Sequence, residues 1–260
     1  MSSSTDDRAA IWTLRGAVAL TCVAVAARML MYGGPVLSWL WLNVGWSEQA
    51  ALRLEHGAAF GLMVCAPLLC WRKAWPAAAL VSGWLLFATV AETATGTWHS
   101  ELTPGALAAR WLAPVALIAL SMNKERPAEW LLRIGIAGTF LCHGLEAVFH
   151  NPQFIDYLIR GGELLAGTRV EETVATTVLT AIGVLDIAVA LAILVPKRLR
   201  AVAFWMALWG FLTAAARVLY MGWGNWPEAL MRVTNGAVPL TLLLLWSRPK
   251  PAEAEHETPE

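Results

Sequence analysis

Long apolar stretches recur along this chain and constrain its fold more than any other feature. A helix needs about 20 residues to cross about 30 Å of hydrocarbon, because it rises about 1.5 Å per residue. Eight of the apolar stretches are about this long. Inside a bilayer every backbone polar group must be paired within its own segment, so the sequence predicts an all-α membrane protein. The predicted spans lie at 10–32, 53–71, 75–95, 106–122, 129–150, 173–195, 199–221 and 227–246.

The composition agrees with a membrane protein and excludes other classes. The chain is 58% hydrophobic and only 15% charged, which is too apolar for a soluble domain of this length. Its 19 Lys and Arg balance 19 Asp and Glu, so nucleic acid is excluded as a main partner. The four cysteines lie in apolar stretches without C-x-x-C spacing, which indicates neither a disulfide framework nor a zinc site.

Positive charges set the expected orientation. Alternate connections between the spans, together with the two ends, hold 12 of the 19 Lys and Arg. By the positive-inside rule, residues 1–9 and 248–260 are expected to be cytoplasmic tails of an inner-membrane protein. A cleaved signal peptide is the alternative for the first span, because residues 16–27 form a short apolar stretch that ends in small residues. Asp6 and Asp7 stand where such a peptide would be basic.

The two halves of the chain resemble each other weakly. The matching residues, 118 or 125 positions apart, are Arg15 and Arg133, Trp84 and Trp209, and Pro114 and Pro239. Each half holds four spans, so both copies would have the same orientation. We therefore expect two parallel four-helix repeats, at 10–122 and 123–247.

Four intramembrane charges invert their sign between the halves. Arg28 aligns with Glu146, and Glu92 aligns with Arg217. A charge in a bilayer is costly unless it is paired or faces water. We therefore predict one ion pair between Arg28 and Glu92 and another between Glu146 and Arg217. The alternative is that each side chain reaches the outer interface separately.

The predicted orientation brings most intramembrane polar groups to one level, near the outer side. Seven of the eight spans contribute polar residues to this level. These residues are Arg28, Glu55, His56, Glu92, Arg110, His143, Glu146, His150, Arg217, Arg232 and Asn235. Asp186 lies near the middle of the sixth span, as either a structural partner or a proton carrier. This convergence predicts a polar cavity that opens to the periplasm.

One face of the fifth span carries the strongest candidates. His143, Glu146 and His150 are spaced i, i+3 and i+7, so they share that face. A metal site is disfavoured because the chain has only five histidines, and haem held by His143 and His56 is permitted but not specified. A third hypothesis is that these residues form a network of ion pairs and hydrogen bonds that fixes helix packing and binds no ligand.

The residue types fit best with a pocket for a quinone or a small anion. Arg110, Arg217 and Arg232 would supply permanently charged donors, with Asn235 and His150 as further ligand-binding candidates. His143 would move a proton, and Glu146 would orient it. Asp186 is the third catalytic candidate.

Parts of the second half look like DoxX-like membrane proteins. The segment LRIGIAGTFLCHGLEAVFHNPQFIDYL from Leu132 resembles their first helix, and GVLDIAVALAILVPKRLR from Gly183 resembles their second. WGFLTAAARVLY and RVTNGAVPLTLLLL resemble the later helices. The first half resembles the family only through the repeat.

DoxX and DoxD proteins are bacterial four-helix membrane proteins, some of which are subunits of a thiosulfate:quinone oxidoreductase. The resemblance implies a redox-associated subunit with a partner redox subunit, and a quinone-associated site at His143, Glu146, Asp186, Arg217 and Arg232. If the chain is an enzyme, it would belong to a membrane oxidoreductase. The alternatives are a small-molecule or ion transporter and a non-catalytic assembly partner.

Overall fold

The computed structural model describes residues 5–71, 74–96 and 98–247, and within these ranges every regular element is a helix. The helices are α1 (Thr5–Tyr32), α2 (Pro35–Ser38), α3 (Glu48–Leu68), α4 (Trp75–Ala94), α5 (Thr103–Ala106), α6 (Ala108–Ser121), α7 (Glu125–Val148), α8 (Pro152–Ala166), α9 (Glu172–Leu194), α10 (Arg200–Met221), α11 (Trp226–Leu230) and α12 (Val233–Trp246). A π-helical turn, Trp39–Val44, continues α2, and short 3-10 turns precede α5 and α11. The all-α prediction is confirmed for these ranges. The whole predicted C-terminal tail and residues 1–4 of the N-terminal tail lie outside them, as do Arg72, Lys73 and Thr97.

Six helical segments of the described chain are long and apolar enough to cross a membrane. They are α1 from Arg8, α4, the run Ser100–Ser121 that includes α5 and α6, α7, α9 and α10. The bent pair of α11 and α12, with 40° between its parts, would make a seventh span. The predicted span 53–71 falls in α3, which is not among these segments. A multi-pass membrane protein fits these helices, and the eighth span stays a prediction.

Two prolines mark the broken helices. A proline cannot donate to the carbonyl four residues earlier, so Pro114 and Pro239 weaken the first turns of α6 and α12. The helical path breaks seven residues before each proline, at Leu107 and at Arg232. At Arg232 the chain changes direction by 40° between α11 and α12.

The helices pack in a set of recurring pairs. Helix α1 packs on α3 and α12, α7 packs on α9 and α6, α4 packs on α6, and α10 packs on α12. Buried apolar side chains from these helices form one large core cluster.

Small residues bring α7 and α9 into backbone contact. A Cβ atom at Gly183 would lie 2.6 Å from the carbonyl oxygen of Gly144, which leaves no room for a side chain. A Cβ at Gly210 would lie 2.4 Å from the Asn235 carbonyl oxygen, so α10 and α12 are equally close. Gly183 and Gly210 are therefore points of close packing between helices.

Arg133 joins helices at the end of the bundle where α7 begins. It donates to the carbonyl oxygens of Ile193 (3.2 Å) and Lys197 (3.2 Å) and to the Glu129 carboxylate (2.7 Å). Its guanidinium also lies 4.7 Å from the centre of the Trp246 ring. The exposed carbonyls at the end of α9 are therefore satisfied by a buried cation.

Candidate functional site

An apolar cavity of about 230 Å³ lies at the opposite end of the bundle, between α7, α8, α9, α10 and α12. Apolar and aromatic side chains make up most of its wall. The titratable or amide side chains that border it are His143, Tyr157, Asp186, Arg217, Arg232 and Asn235. Five of these six were candidates from the sequence, and they come from four different helices.

His143 offers this cavity a nitrogen that has no partner. Its Nδ1 lies 2.8 Å from the Oε2 atom of Glu146 one turn along α7. Its Nε2 is buried and has no hydrogen-bond partner among the described residues. When Nδ1–H donates to the carboxylate, Nε2 is left as an acceptor, and protonation converts Nε2 into a donor. The imidazole can therefore exchange a proton at Nε2 while Glu146 fixes the ring.

Asp186 brings a second unpartnered atom to the cavity wall. The side chain is buried in the middle of α9, as the sequence placed it, and Trp209 lies beside it. Its Oδ1 atom has no hydrogen-bond partner among the described residues, and no cation there forms an ion pair with it. The structural-partner alternative for Asp186 would require such a cation.

Arg217 is held by a residue that the sequence interpretation did not single out. Its Nη1 donates to the Oη atom of Tyr157 at 2.9 Å, and the guanidinium lies 5.1 Å from the centre of that ring. Tyr157 belongs to α8, outside the spanning helices. Burial raises the pKa of its phenol, although the charge of Arg217 acts in the opposite direction. Tyr157 is therefore a neutral hydrogen-bonding group at neutral pH.

A second, polar cavity of about 660 Å³ adjoins the first. The charged side chains on its wall are Arg28, Glu55, Glu92, Arg110, Arg217, Glu228 and Arg232. Arg217 and Arg232 border both cavities, so they form the partition between them.

Glu55 fixes one edge of the polar cavity. Its side chain is fully buried, and Oε2 accepts a hydrogen bond from the Leu37 backbone N–H at 2.6 Å. A Cβ at Gly34 would lie 2.8 Å from Oε1 of this carboxylate, so the contact needs a glycine at position 34. Helix α2 is thereby held against α3.

The two predicted ion pairs are not the ones that form. Arg28 pairs with Glu228, and it also donates to the Gly33 carbonyl oxygen at 2.7 Å. Glu146 contacts His143 instead of Arg217. Helix α1 packs against α11, and this contact brings Glu228 to Arg28. The sequence indicates how deep each charge lies but not which helices are neighbours.

His150 lies outside both cavities. It is exposed at the end of α7, its backbone φ is +58°, and its Nε2 lies 2.8 Å from the Thr180 hydroxyl. His150 is therefore part of neither cavity wall, and its assignment as a ligand-binding residue stays a prediction. The i+7 spacing predicted a shared helical face, but the helix ends at Val148, before His150 is reached.

The sequence did contain a signal for Tyr157. Asn151 and Pro152 directly follow the predicted span 129–150, and Asn151 caps α8 by accepting from the Gln153 N–H at 3.0 Å. Phe154, Tyr157 and Leu158 follow at i, i+3 and i+4, and all three border the apolar cavity. Glu228 was also missed, although it lies at the start of the predicted span 227–246.

Within the described ranges, no group of three or more His, Cys, Asp or Glu is placed to hold a metal ion. The wall of the apolar cavity instead consists mostly of apolar side chains, with a few hydrogen-bonding groups among them. This arrangement fits a small ligand that has an apolar body and polar atoms at its edge.

Comparisons with known proteins gave no match: no family model, no curated protein and no solved structure matches this chain.

Proposed function

We propose that this chain is a bacterial inner-membrane protein whose apolar cavity binds a quinone, and that it serves as a redox-associated membrane subunit. The buried Nε2 of His143 carries the proposal, because it borders the cavity without a partner while Nδ1 contacts Glu146. A quinone has an apolar ring and two carbonyl oxygens, and it matches a mostly apolar wall with separated polar groups. The resemblance of residues 132–158 to DoxX-like proteins favours the same role.

The proposed chemistry uses His143 as the proton-exchanging group. A quinone that accepts two electrons and two protons becomes a quinol with two hydroxyl groups. Protonated His143 would give one proton to a quinone oxygen from Nε2, and Glu146 would stabilise the imidazolium at Nδ1. Asp186 is the second proton-exchanging group on the wall. A partner redox subunit would supply the electrons.

Arg217 and Arg232 would serve binding instead of proton transfer. Both are donors at the cavity wall, and a guanidinium stays charged across the physiological pH range. Asn235 adds an amide to the same wall. These groups would orient the quinone oxygen that His143 does not contact.

The proposal includes eight spans in two parallel four-helix repeats, at 10–122 and 123–247. The contact of α1 with α3 corresponds to that of α7 with α9, and α4 with α6 corresponds to α10 with α12. The contact of α1 with α12 likewise corresponds to that of α7 with α6. Trp84 and Glu92 border the polar cavity, and their counterparts Trp209 and Arg217 border the apolar one. The two cavities would then be equivalent positions of the repeat.

Helix α3 would be the eighth span. It exposes a row of large apolar side chains that includes Phe60 and Val64, which are 63% and 61% exposed. Such a surface favours contact with lipid over water. With both termini in the cytoplasm, as the positive charges favour, the two cavities would lie in the periplasmic half.

Quinone binding to the detergent-purified protein tests the proposed function. We expect decylubiquinone to bind in equilibrium dialysis and His143→Ala to weaken this binding about tenfold, through loss of a buried hydrogen bond. A reduced-minus-oxidised absorbance spectrum of the bound fraction would identify the quinone. His150→Asn is the matched control, because position 150 borders neither cavity and asparagine tolerates a positive φ. Equal binding by wild type and the folded His143→Ala variant would overturn the proposal.

A small-molecule transporter is the second candidate function. Two adjoining cavities with a shared arginine partition favour it, since a solute could pass from one to the other. Uptake into proteoliposomes that exceeds uptake into empty vesicles, and that Arg232→Gln abolishes, would favour the transporter over the redox subunit.

A further inference from the structure

Three arginines meet at the polar cavity, whose wall also carries three glutamates. Arg110 comes from α6, Arg217 from α10, and Arg232 from the break before α12. The charge of Arg232 acts unfavourably on both Arg110 and Arg217, so the three guanidiniums are within electrostatic range of one another. Like charges gathered at low exposure are costly unless an anion joins them.

The hydrogen-bonding capacity of these arginines is mostly unused. Within the described ranges, the Arg110 side chain forms no hydrogen bond or ion pair, and the Nε of Arg232 is buried without a partner. Arg217, which is 8% exposed, bonds only the neutral Tyr157 hydroxyl in the part of the chain that the structure describes. A guanidinium has five N–H donors, so the cluster presents many unpaired donors to the cavity.

The carboxylates on the same wall do not satisfy them. Glu228 is paired with Arg28, and Glu55 is bonded to the Leu37 backbone through one oxygen. Glu92 forms no ion pair with any of the three within 4.0 Å. The lining holds four arginines and three glutamates, which leaves an excess of one positive charge. One singly charged anion would neutralise the wall.

The edge of the polar cavity leads onto an apolar surface. Residues 33–38 border the cavity, and the π-helical turn Trp39–Val44 follows directly. This turn exposes Trp41 and Leu42, the latter by 68%. A tryptophan and aliphatic side chains beside a charged pocket are typical of the boundary between lipid head groups and acyl chains.

We propose that the polar cavity binds the phosphate of an anionic phospholipid such as phosphatidylglycerol. Arg110, Arg217 and Arg232 donate to the phosphate oxygens, since guanidinium and phosphate match in geometry and charge. The acyl chains lie along the exposed face of Trp39–Val44. The polar cavity adjoins the proposed quinone cavity and shares Arg217 and Arg232 with it, but the lipid proposal does not rest on quinone binding.

Lipid binding to the delipidated full-length protein in detergent tests this proposal. We expect dioleoylphosphatidylglycerol to remain bound in native mass spectrometry and to raise the melting temperature. Arg110→Gln and Arg232→Gln should each weaken lipid binding at least tenfold, while Arg110→Lys should retain part of it. Arg53→Gln is the matched control, because Arg53 is exposed and donates only to the Gln49 carbonyl of its own helix.

Two further probes separate the possible sources of the anion and check the role of the phosphate. Dioleoylglycerol has the same acyl chains without the phosphate, and we expect it to give no shift in melting temperature. Inorganic phosphate at the same concentration should give a much smaller shift than the lipid. Equal shifts with dioleoylglycerol or with inorganic phosphate would overturn the lipid assignment, and so would unchanged lipid binding in folded Arg110→Gln and Arg232→Gln proteins.

Discussion

His143 and Arg133, ten residues apart on α7, illustrate two uses of a buried polar side chain. Arg133 is bonded to three carbonyl oxygens and a carboxylate, so its main effect is to hold α7 against the end of α9. His143 leaves Nε2 without a partner beside a cavity. Buried polar groups in proteins are nearly always satisfied, so an unsatisfied one at a cavity points to a ligand.

A double-mutant cycle tests the pairing of Arg28 at the residue scale. We expect Arg28→Gln and Glu228→Gln to be coupled by about 0.5–1 kcal/mol in the free energy of unfolding, a modest value because both side chains are partly exposed. Arg28→Gln combined with Glu92→Gln should be additive. Chemical unfolding in detergent measures both cycles, and coupling to Glu92 alone would restore the pairing predicted from the sequence.

The sequence predicted which residues gather at one end of the bundle better than it predicted their partners. Helical spacing and span direction fix the depth of a residue, and they brought His143, Arg217 and Arg232 to one level. Asp186, which was placed deeper in the middle of its span, lies on the same cavity wall. Partners depend on which helices touch, and no local pattern encodes that α1 packs on α11. Tyr157 was missed because it lies in a short helix between two predicted spans. Glu228 was missed although it lies in the predicted span 227–246, because its partner Arg28 comes from a distant part of the chain.

At the scale of elements, the closest contacts between helices occur at glycines, which have no side chain to hold the backbones apart. Helices α7 and α9 meet at Gly144 and Gly183, and this contact lies next to residues that line the apolar cavity. Dispersion contacts between closely packed backbones are a main source of helix association in membranes. The position of His143 relative to Asp186 therefore depends on these two glycines.

Gly183→Ala tests this contact. Because the new Cβ would lie 2.6 Å from a backbone oxygen, α7 and α9 must separate, and we expect a loss of about 1–3 kcal/mol in stability. Gly83→Ala is the control: it lies within α4, and a Cβ there meets nothing within 4 Å. Thermal unfolding in detergent compares the two variants. A Gly183→Ala protein as stable as the control would contradict the tight contact.

Secondary structure was the most predictable part of the fold. Each predicted span coincides with a helix or a broken helix, because a long apolar stretch has few alternatives to a helix. Helix α8 was missed because it is amphipathic and has only 15 residues, too few to span a membrane. A search for spanning segments alone therefore assigned these residues to a loop.

At the scale of the whole molecule, the number of spans decides on which side each loop lies. The predicted orientation requires α3 to cross the membrane, although α3 is less apolar than the six clear spanning segments. If α3 lay along the surface, every later helix would reverse its direction. The position of both cavities relative to the cytoplasm therefore depends on α3.

Cysteine labelling at the two ends of α3 tests the topology. Cys70 is exposed just after α3, and Gln49→Cys adds a thiol at its start once the other cysteines are replaced. We expect a membrane-impermeant maleimide to label position 49 in intact cells and to label Cys70 only after the membrane is opened. Labelling of both positions from the same side would show that α3 does not cross.

The arginine partition between the cavities has a thermodynamic consequence. Arg217 and Arg232 border both spaces, so an anion bound on one side lowers the positive potential on the other. If a ligand in one cavity changes the affinity for a ligand in the other by some factor, the second ligand changes the affinity for the first by the same factor. Binding of one ligand would therefore change the affinity for the other through Arg217 and Arg232, without any contact between the two ligands.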